Sequence, residues 1–207
     1  MTVWTEHLAH LGATLGDASL HFADAASEAR AATETTIAVP LLHLGTIRSV
    51  GPDSAVFLHN LVSNEVKKLE ADAAEWNSFN SPKGRMIASF LMWSEAEGHA
   101  LALSADILPA FLKKFSMYVL RSKVKLANAS ADVALIGISG PNATAVVLAT
   151  GAELPGADMK QTLAASGLRC IRLGATRYLL AVPVAAAPAA YDALLAAGAE
   201  RAGTAAW

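Results

Sequence analysis

The chain has 207 residues, enough for one large domain or two small ones. Hydrophobic residues make up 54% and charged residues 16%, so a well-filled core is possible and bulk disorder is excluded. The formal net charge of −2 excludes a global attraction to duplex nucleic acid or to an anionic membrane, and any anion site must be local.

A single cysteine, Cys170, rules out an intramolecular disulfide and a Cys-rich metal site, and fits a reducing, cytoplasmic compartment. No apolar run reaches the roughly 18 residues a membrane span requires. Glu6, His7 and His10 stand where a secretory signal would carry a basic region and an apolar run, so no such signal is expected.

Thr2 to Leu11 reads as a short amphipathic helix with Val3, Trp4, Leu8 and Leu11 on one side. Residues 1–33 as a whole are expected to be helical or irregular, because Ala favours helix while few large residues anchor one. Ile37 to Leu44 is a short apolar strand region interrupted at Pro40, which predicts a sheet edge or a bend.

From Thr46 a unit begins that occurs twice. Thr46 to Val50 is a strand, Gly51-Pro52-Asp53 a turn, and Ser54 to Leu61 a helix with Val56, Phe57 and Leu61 inward. Trp76 to Arg85 reads as a loop with a cationic tip. Met86 to Trp93 and His99 to Ser104 form a hairpin around Ser94 to Gly98. Asp106 to Val119 is a helix, and Arg121, Lys123 and Lys125 alternate with Ser122 and Val124 as one face of a basic strand. The second copy runs from the strand Val133 to Ser139 through Gly140-Pro141-Asn142 and a helix from Ala143 to Leu148. It continues with hairpin arms Arg169 to Leu173 and Arg177 to Val182, then a helix from Pro188 to Ala197. Gly-Pro turns before helices are common; the matching order of elements after them marks the repeat. The pattern predicts an α+β fold of two similar βαββα halves, residues 34–130 and 131–207, with helices on one face of antiparallel or mixed sheets.

The chemical inventory is thin. No Gly-rich phosphate loop and no nucleophile elbow is present. The histidines His7, His10, His21, His43, His59 and His99 form no metal-binding pattern. Cys170 sits in a strand pattern and reads as a buried, inert thiol. Two readings fit Pro82-Lys83-Gly84-Arg85: an anion site whose glycine permits close approach, or a solvated hairpin mouth with gatekeeper charges. Two also fit the basic stretch at Arg121: a cradle for a polyanionic tail, or a sheet edge protected by cations. Trp76, Phe79, Phe90, Trp93 and Tyr118 are core candidates that are also able to stack on a flat heterocycle. The functional surface is expected where Lys83 to Arg85 and the basic strand meet.

The segments Phe57 to Val66, Lys83-Gly84-Arg85, and Leu112-Lys113-Lys114-Phe115 leading to Arg121-Ser122-Lys123-Val124 together resemble the N-terminal part of the YgfZ-type folate-binding proteins. These are relatives of the glycine cleavage T-protein, an aminomethyltransferase, and the similarity runs from about Leu42 to Trp207. Asn64 matches the Asn of the family's Thr-Asn-Asp motif, and Lys83, Gly84 and Arg85 match its Lys-Gly-Arg/Lys hairpin start. The resemblance implies the aminomethyltransferase-like folate-binding fold with tetrahydrofolate in a central cavity. It implies iron–sulfur enzymes or assembly proteins as partners, in cluster assembly or repair that supports tRNA modification. On this reading the folate contacts are Asn64, Lys83, Gly84, Arg85, Tyr118 and Arg121.

Two departures follow from the same resemblance. The transferases carry an acidic pair just after the hairpin start, where this chain has Ala88 and Ser89. The Lys-Gly-Cys-Tyr-x-Gly-Gln-Glu signature is absent, Cys170 is not its cysteine, and the C-terminal barrel domain is expected to be absent from these residues. Three hypotheses remain: a folate-binding accessory factor, a folate-dependent aminomethyltransferase using a carboxylate such as Asp106 or Asp132, and a non-catalytic protein-interaction module.

Overall fold

The computed structural model describes residues 2–16 and 19–207; Met1, Asp17 and Ala18 of the N-terminal segment lie outside the described residues. The chain forms two compact units, one of Leu44–Ser130 and one of Met1–His43 with Ala131–Trp207.

In chain order the N-terminal region holds α1 (Val3–His10), β1 (Thr14–Leu15), β2 (Leu20–His21), α2 (Ala25–Glu34) and β3 (Ile37–Pro40). Thr2 caps α1 through a capping box with Thr5, and Asp24 caps α2 by accepting from the amides of Ala26 and Ser27. Trp4 and Leu8 are buried, whereas Val3 is exposed.

The Leu44–Ser130 unit contains β4 (Leu44–Val50), α3 (Ser54–His59), β5 (Ala74–Asn80), β6 (Met86–Glu95), β7 (Gly98–Ser104), α4 (Leu108–Ser116) and β8 (Lys125–Asn128). Its sheet has the order β5-β6-β7-β4-β8, with every pairing antiparallel. Helices α3 and α4 cover one face. Phe57 and Leu58 of α3, with Leu108, Phe111 and Phe115 of α4, pack on Ile47, Phe79, Phe90, Met92 and Leu101. Phe111 and Phe115 stack at 4.9 Å, and Phe115 meets Phe57 and Phe79 edge-on at 5.3 Å each. Full burial of one such ring stabilises by about 1.5–3 kcal/mol.

The other unit continues with β9 (Val133–Ser139), α5 (Ala143–Leu148), β10 (Gln161–Leu163), β11 (Arg169–Gly174), β12 (Arg177–Pro183), α6 (Ala187–Ala196) and β13 (Glu200–Arg201). Its sheet has the order β10-β11-β12-β9-β3-β13. Helices α1, α5 and α6 supply Trp4, Leu8, Val146, Val147, Tyr191 and Leu194 to a core that includes Ile136, Ile138 and Leu180. Cys170 lies in it, fully buried, and burial pushes its thiol up to about 12, so the thiolate is not formed at neutral pH.

The doubling is present with two more strands per copy than the βαββα pattern: both copies run strand, helix, three strands, helix, strand. The extra strands are β5 and β8 in the first copy and β10 and β13 in the second. The two Gly-Pro turns play matching roles. At Gly51 an added Cβ would collide with the Lys123 carbonyl, and at Gly140 with that of Thr35.

Four sequence expectations are corrected. Residues 34–43 belong with 131–207, because β3 pairs with β9 over Ile37 to Pro40. Pro40 closes the strand while Ile37 and Ala38 lie between β9 and β13. Val56 is exposed, and Leu58 takes the inward position beside Phe57. The basic strand begins only at Lys125. Before it Leu120 turns with φ +41° and Asp53 binds the Lys123 amide, so Arg121 and Lys123 lie in a loop.

Candidate functional site

The candidate residues gather along β5 and the α4–β8 loop of the Leu44–Ser130 unit. Asn64 lies against the outer edge of β5. Its side-chain amide donates to the Trp76 carbonyl at 2.6 Å, and its backbone N–H donates to Asn77 Oδ1 at 2.9 Å. Asn77 is buried and donates in turn to Glu75 Oε1 at 2.7 Å. Beside them Ser63 Oγ accepts from the Ser78 amide, and Val62 bridges to Phe79. Asn64 thus staples its segment to β5, and its own Oδ1 has no partner among the described residues.

Lys83, Gly84 and Arg85 form the β5–β6 turn. Ser81 N donates to the Arg85 carbonyl and Gly84 N to the Ser81 carbonyl, both at 2.8 Å, while Ser81 Oγ accepts from Arg85 N. Gly84 has φ +74° and an added Cβ would meet nothing within 4 Å. The glycine therefore serves the left-handed turn and not a close approach. Lys83 and Arg85 are exposed and make no ion pair among the described residues.

Tyr118 and Arg121 line an open groove of about 700 Å³ with Asp53, Leu120 and Ser122. The Phe79 ring meets Tyr118 at 5.7 Å and 70°, and among the described residues no ring stacks parallel on Tyr118. Leu120 is 88% exposed. Arg121 is exposed, a planar five-donor cation suited to a carboxylate or phosphate.

The structure brings Tyr118 and Arg121 into one groove and links Tyr118 to β5 through Phe79. It does not bring the hairpin turn beside the basic stretch along the sheet. Glu95, Gly98, Val50 and Lys125 share one end of the strands. Met86 starts β6 at the other end, with Ser104 and Leu44. Trp76 is 58% exposed, whereas Phe79, Phe90 and Trp93 are core. Ala88 is buried opposite Phe79, and Ser89 is exposed opposite Ser78. Asp53 is the residue sequence reasoning missed: its carboxylate lines the groove and accepts from Lys123 N. The Gly-Pro-Asp turn was its one visible signal.

Among the described residues no group of three His, Cys, Asp or Glu side chains is arranged for a metal ion, and no helix is long and apolar enough to cross a membrane.

A family model described as the GCVT N-terminal domain matches residues 10–206. The chain belongs to that family. The solved structure of glycine cleavage system aminomethyltransferase T from Bartonella henselae is similar with a TM-score of 0.80 at 18% identity, over 97% of this chain and 58% of that one. The fold is therefore that of the aminomethyltransferase T-protein. The tRNA-modifying protein YgfZ of Vibrio vulnificus (strain YJ016) is 29% identical over 149 residues, which is 70% of this chain and 44% of that protein. The aminomethyltransferase of Bacillus subtilis (strain 168) is 28% identical over 109 residues, 51% of this chain and 29% of that protein. The chain spans less than half the length of these two relatives.

Proposed function

We propose that the protein is a cytoplasmic, YgfZ-like accessory factor that binds tetrahydrofolate and supports iron–sulfur cluster assembly or repair in tRNA modification, without transferring a one-carbon unit. Tyr118 offers a ring face to the pterin, and Arg121 a fork for a glutamate carboxylate. Asn64, Lys83, Gly84 and Arg85 flank β5, and the two cations of the turn suit an extended anionic tail. Membership of the GCVT family and the likeness to YgfZ support the folate and tRNA-modification parts of this reading.

The observation that carries it is the side chain at Ala88. The resemblance gives the transferases a carboxylate pair there, whereas here a methyl group 3% exposed packs beside Phe79 and Phe90. An ionised carboxylate in that position would be buried among aromatic rings at a cost of several kcal/mol. Asp106 is a poor replacement as a base. It is exposed, and hydrogen bonds from Ser104 and the Ile107 amide hold its carboxyl below the usual range, which weakens it as a proton acceptor.

Calorimetric titration with tetrahydrofolate tests the reading. A saturable heat in the micromolar range is expected. No heat removes the folate assignment. Methylenetetrahydrofolate formed from an aminomethyl donor would replace the accessory role with a transferase.

A further inference from the structure

The Leu44–Ser130 unit holds a second concavity that the folate reading leaves unused. It is an open hollow of about 690 Å³ between the Gly51-Pro52 turn, the first residues of α3, the stretch around Leu69 and the β6–β7 turn. Its volume lies in the range of small-molecule sites. His99 lines it while being only 8% exposed.

The hydrogen bonds around His99 orient its ring. Ser54 Oγ, itself 1% exposed, donates to the Ser49 carbonyl at 2.9 Å. It also lies 2.8 Å from Ser49 Oγ and 2.9 Å from His99 Nδ1. A hydroxyl has one proton. With that proton on the Ser49 carbonyl, Ser54 Oγ accepts from both neighbours, so Nδ1 carries the ring hydrogen. The tautomer is thus assigned from the network, and it leaves Nε2 as a bare lone pair. Nε2 has no hydrogen-bond partner among the described residues. Burial holds the ring below its ordinary range, with Glu95 opposing, so the imidazole is neutral at pH 7.

Two carboxylates line the same pocket. Glu95 is engaged by Arg48 Nε at 3.0 Å. Glu97 is exposed and forms no ion pair among the described residues. The side-chain groups free to bind are therefore acceptors with a net negative charge, set among apolar walls from Val50, Pro52 and Leu69. With no three-ligand metal cluster among the described residues, the site suits a cation that brings its own N–H donors. We propose that this pocket binds an organic ammonium ion with a short apolar body, its N–H groups donated to His99 Nε2 and to the Glu97 carboxylate.

The test is a titration of the whole chain with phenethylammonium, read by NMR of the histidine ring nitrogens. The comparison probes are phenethyl alcohol and hydrocinnamate, which keep the apolar body and change the head group. A saturable shift confined to the His99 nitrogens is expected. The alcohol should bind about tenfold more weakly, and hydrocinnamate should not saturate. Glu97→Gln changes an exposed side chain and leaves the fold intact. It should weaken the ammonium about three- to fivefold, and His99→Gln should weaken it further. Equal affinity for the alcohol, no saturable shift, indifference to Glu97→Gln, or saturation by zinc ion alone would each overturn the proposal. Folate binding is read at Tyr118 and Arg121, so the two assignments fail separately.

Discussion

Asp53 and Lys123, 70 residues apart, hold each other twice: the Asp53 carboxylate accepts from the Lys123 amide at 2.6 Å, and the Asp53 amide faces the Lys123 carbonyl at 3.4 Å. The related turn of the other unit solves the same problem with reversed polarity, the Asn142 amide donating to Thr36 Oγ1 at 2.8 Å. In both copies the turn receives a passing strand or loop at its glycine. In the Leu44–Ser130 unit that contact fixes the segment carrying Tyr118, Leu120 and Arg121.

Removing the carboxylate therefore loosens the groove before it unfolds the protein. Asp53→Ala is expected to cost about 1 kcal/mol, the lower range for a charge-assisted bond at a half-exposed site. Urea unfolding measures the loss. Hydrogen exchange should show the Lys123 amide accelerated far more than amides of β6 and β7. Unchanged protection at Lys123 would mean the loop is held by other contacts.

Two of the positive-φ glycines of this unit, Gly84 and Gly51, separate strain from collision. Gly84→Ala places a Cβ in open space at φ +74°, so only backbone strain of about 1–2 kcal/mol is expected. Gly51→Ala drives a Cβ into the Lys123 carbonyl at φ +134°, and the loop must move. That change should cost about 3 kcal/mol or more. Denaturation midpoints of the two variants give the comparison, and equal losses would show that Lys123 yields freely.

Much of this fold is legible in the chain. Val133 to Ser139 and Ala143 to Leu148 appear where apolar spacing places them, because nearly every inward position there is aliphatic. Strand β5 is not legible. It buries Asn77 beside Phe79 and exposes Trp76, which inverts the polarity that reveals a strand, and Asn77 is satisfied by Asn64, Ser63 and Glu75. The candidate site is read less well than the fold for a similar reason. Tyr118 and Arg121 are visible as residue types, but the groove they share depends on Asp53, whose partner no local pattern predicts. The pairing of Ser54 with His99 arises from the β4–β7 register, where Ser49 stands opposite His99.

Acid should destabilise the fold through two imidazoles, the half-buried His43 and the buried His99. Burial lowers the pKa of both His43 and His99 from the ordinary 6.5. In the unfolded chain both protonate near that value, so below it the unfolded state binds protons the folded state refuses. Stability is then fully present above about pH 6.5 and falls as pH drops through the folded pKa values. The urea midpoint should be flat from about pH 8 to 7 and decline toward about pH 5. Replacing His99 with Gln should flatten part of that decline. A midpoint that rises on acidification would contradict the assignment of neutral rings at His43 and His99.

Folate affinity should divide between the groove and the hairpin turn. Tyr118→Ala removes the only ring face in the groove among the described residues and is expected to weaken tetrahydrofolate about tenfold. Arg121→Ala should weaken it about fivefold and reduce the salt dependence, since an exposed ion pair is screened by added electrolyte. Lys83 and Arg85 make no ion pair among the described residues, so they are free to attract a longer anionic tail. A polyglutamylated folate should then bind more tightly than the monoglutamate, and that advantage should vanish in the Lys83→Ala, Arg85→Ala double variant while monoglutamate affinity stays the same. Calorimetry with both ligands measures it. An advantage that survives the double variant would assign the tail to Arg121 and Lys123 instead, and would leave the turn at Gly84 with a purely structural role.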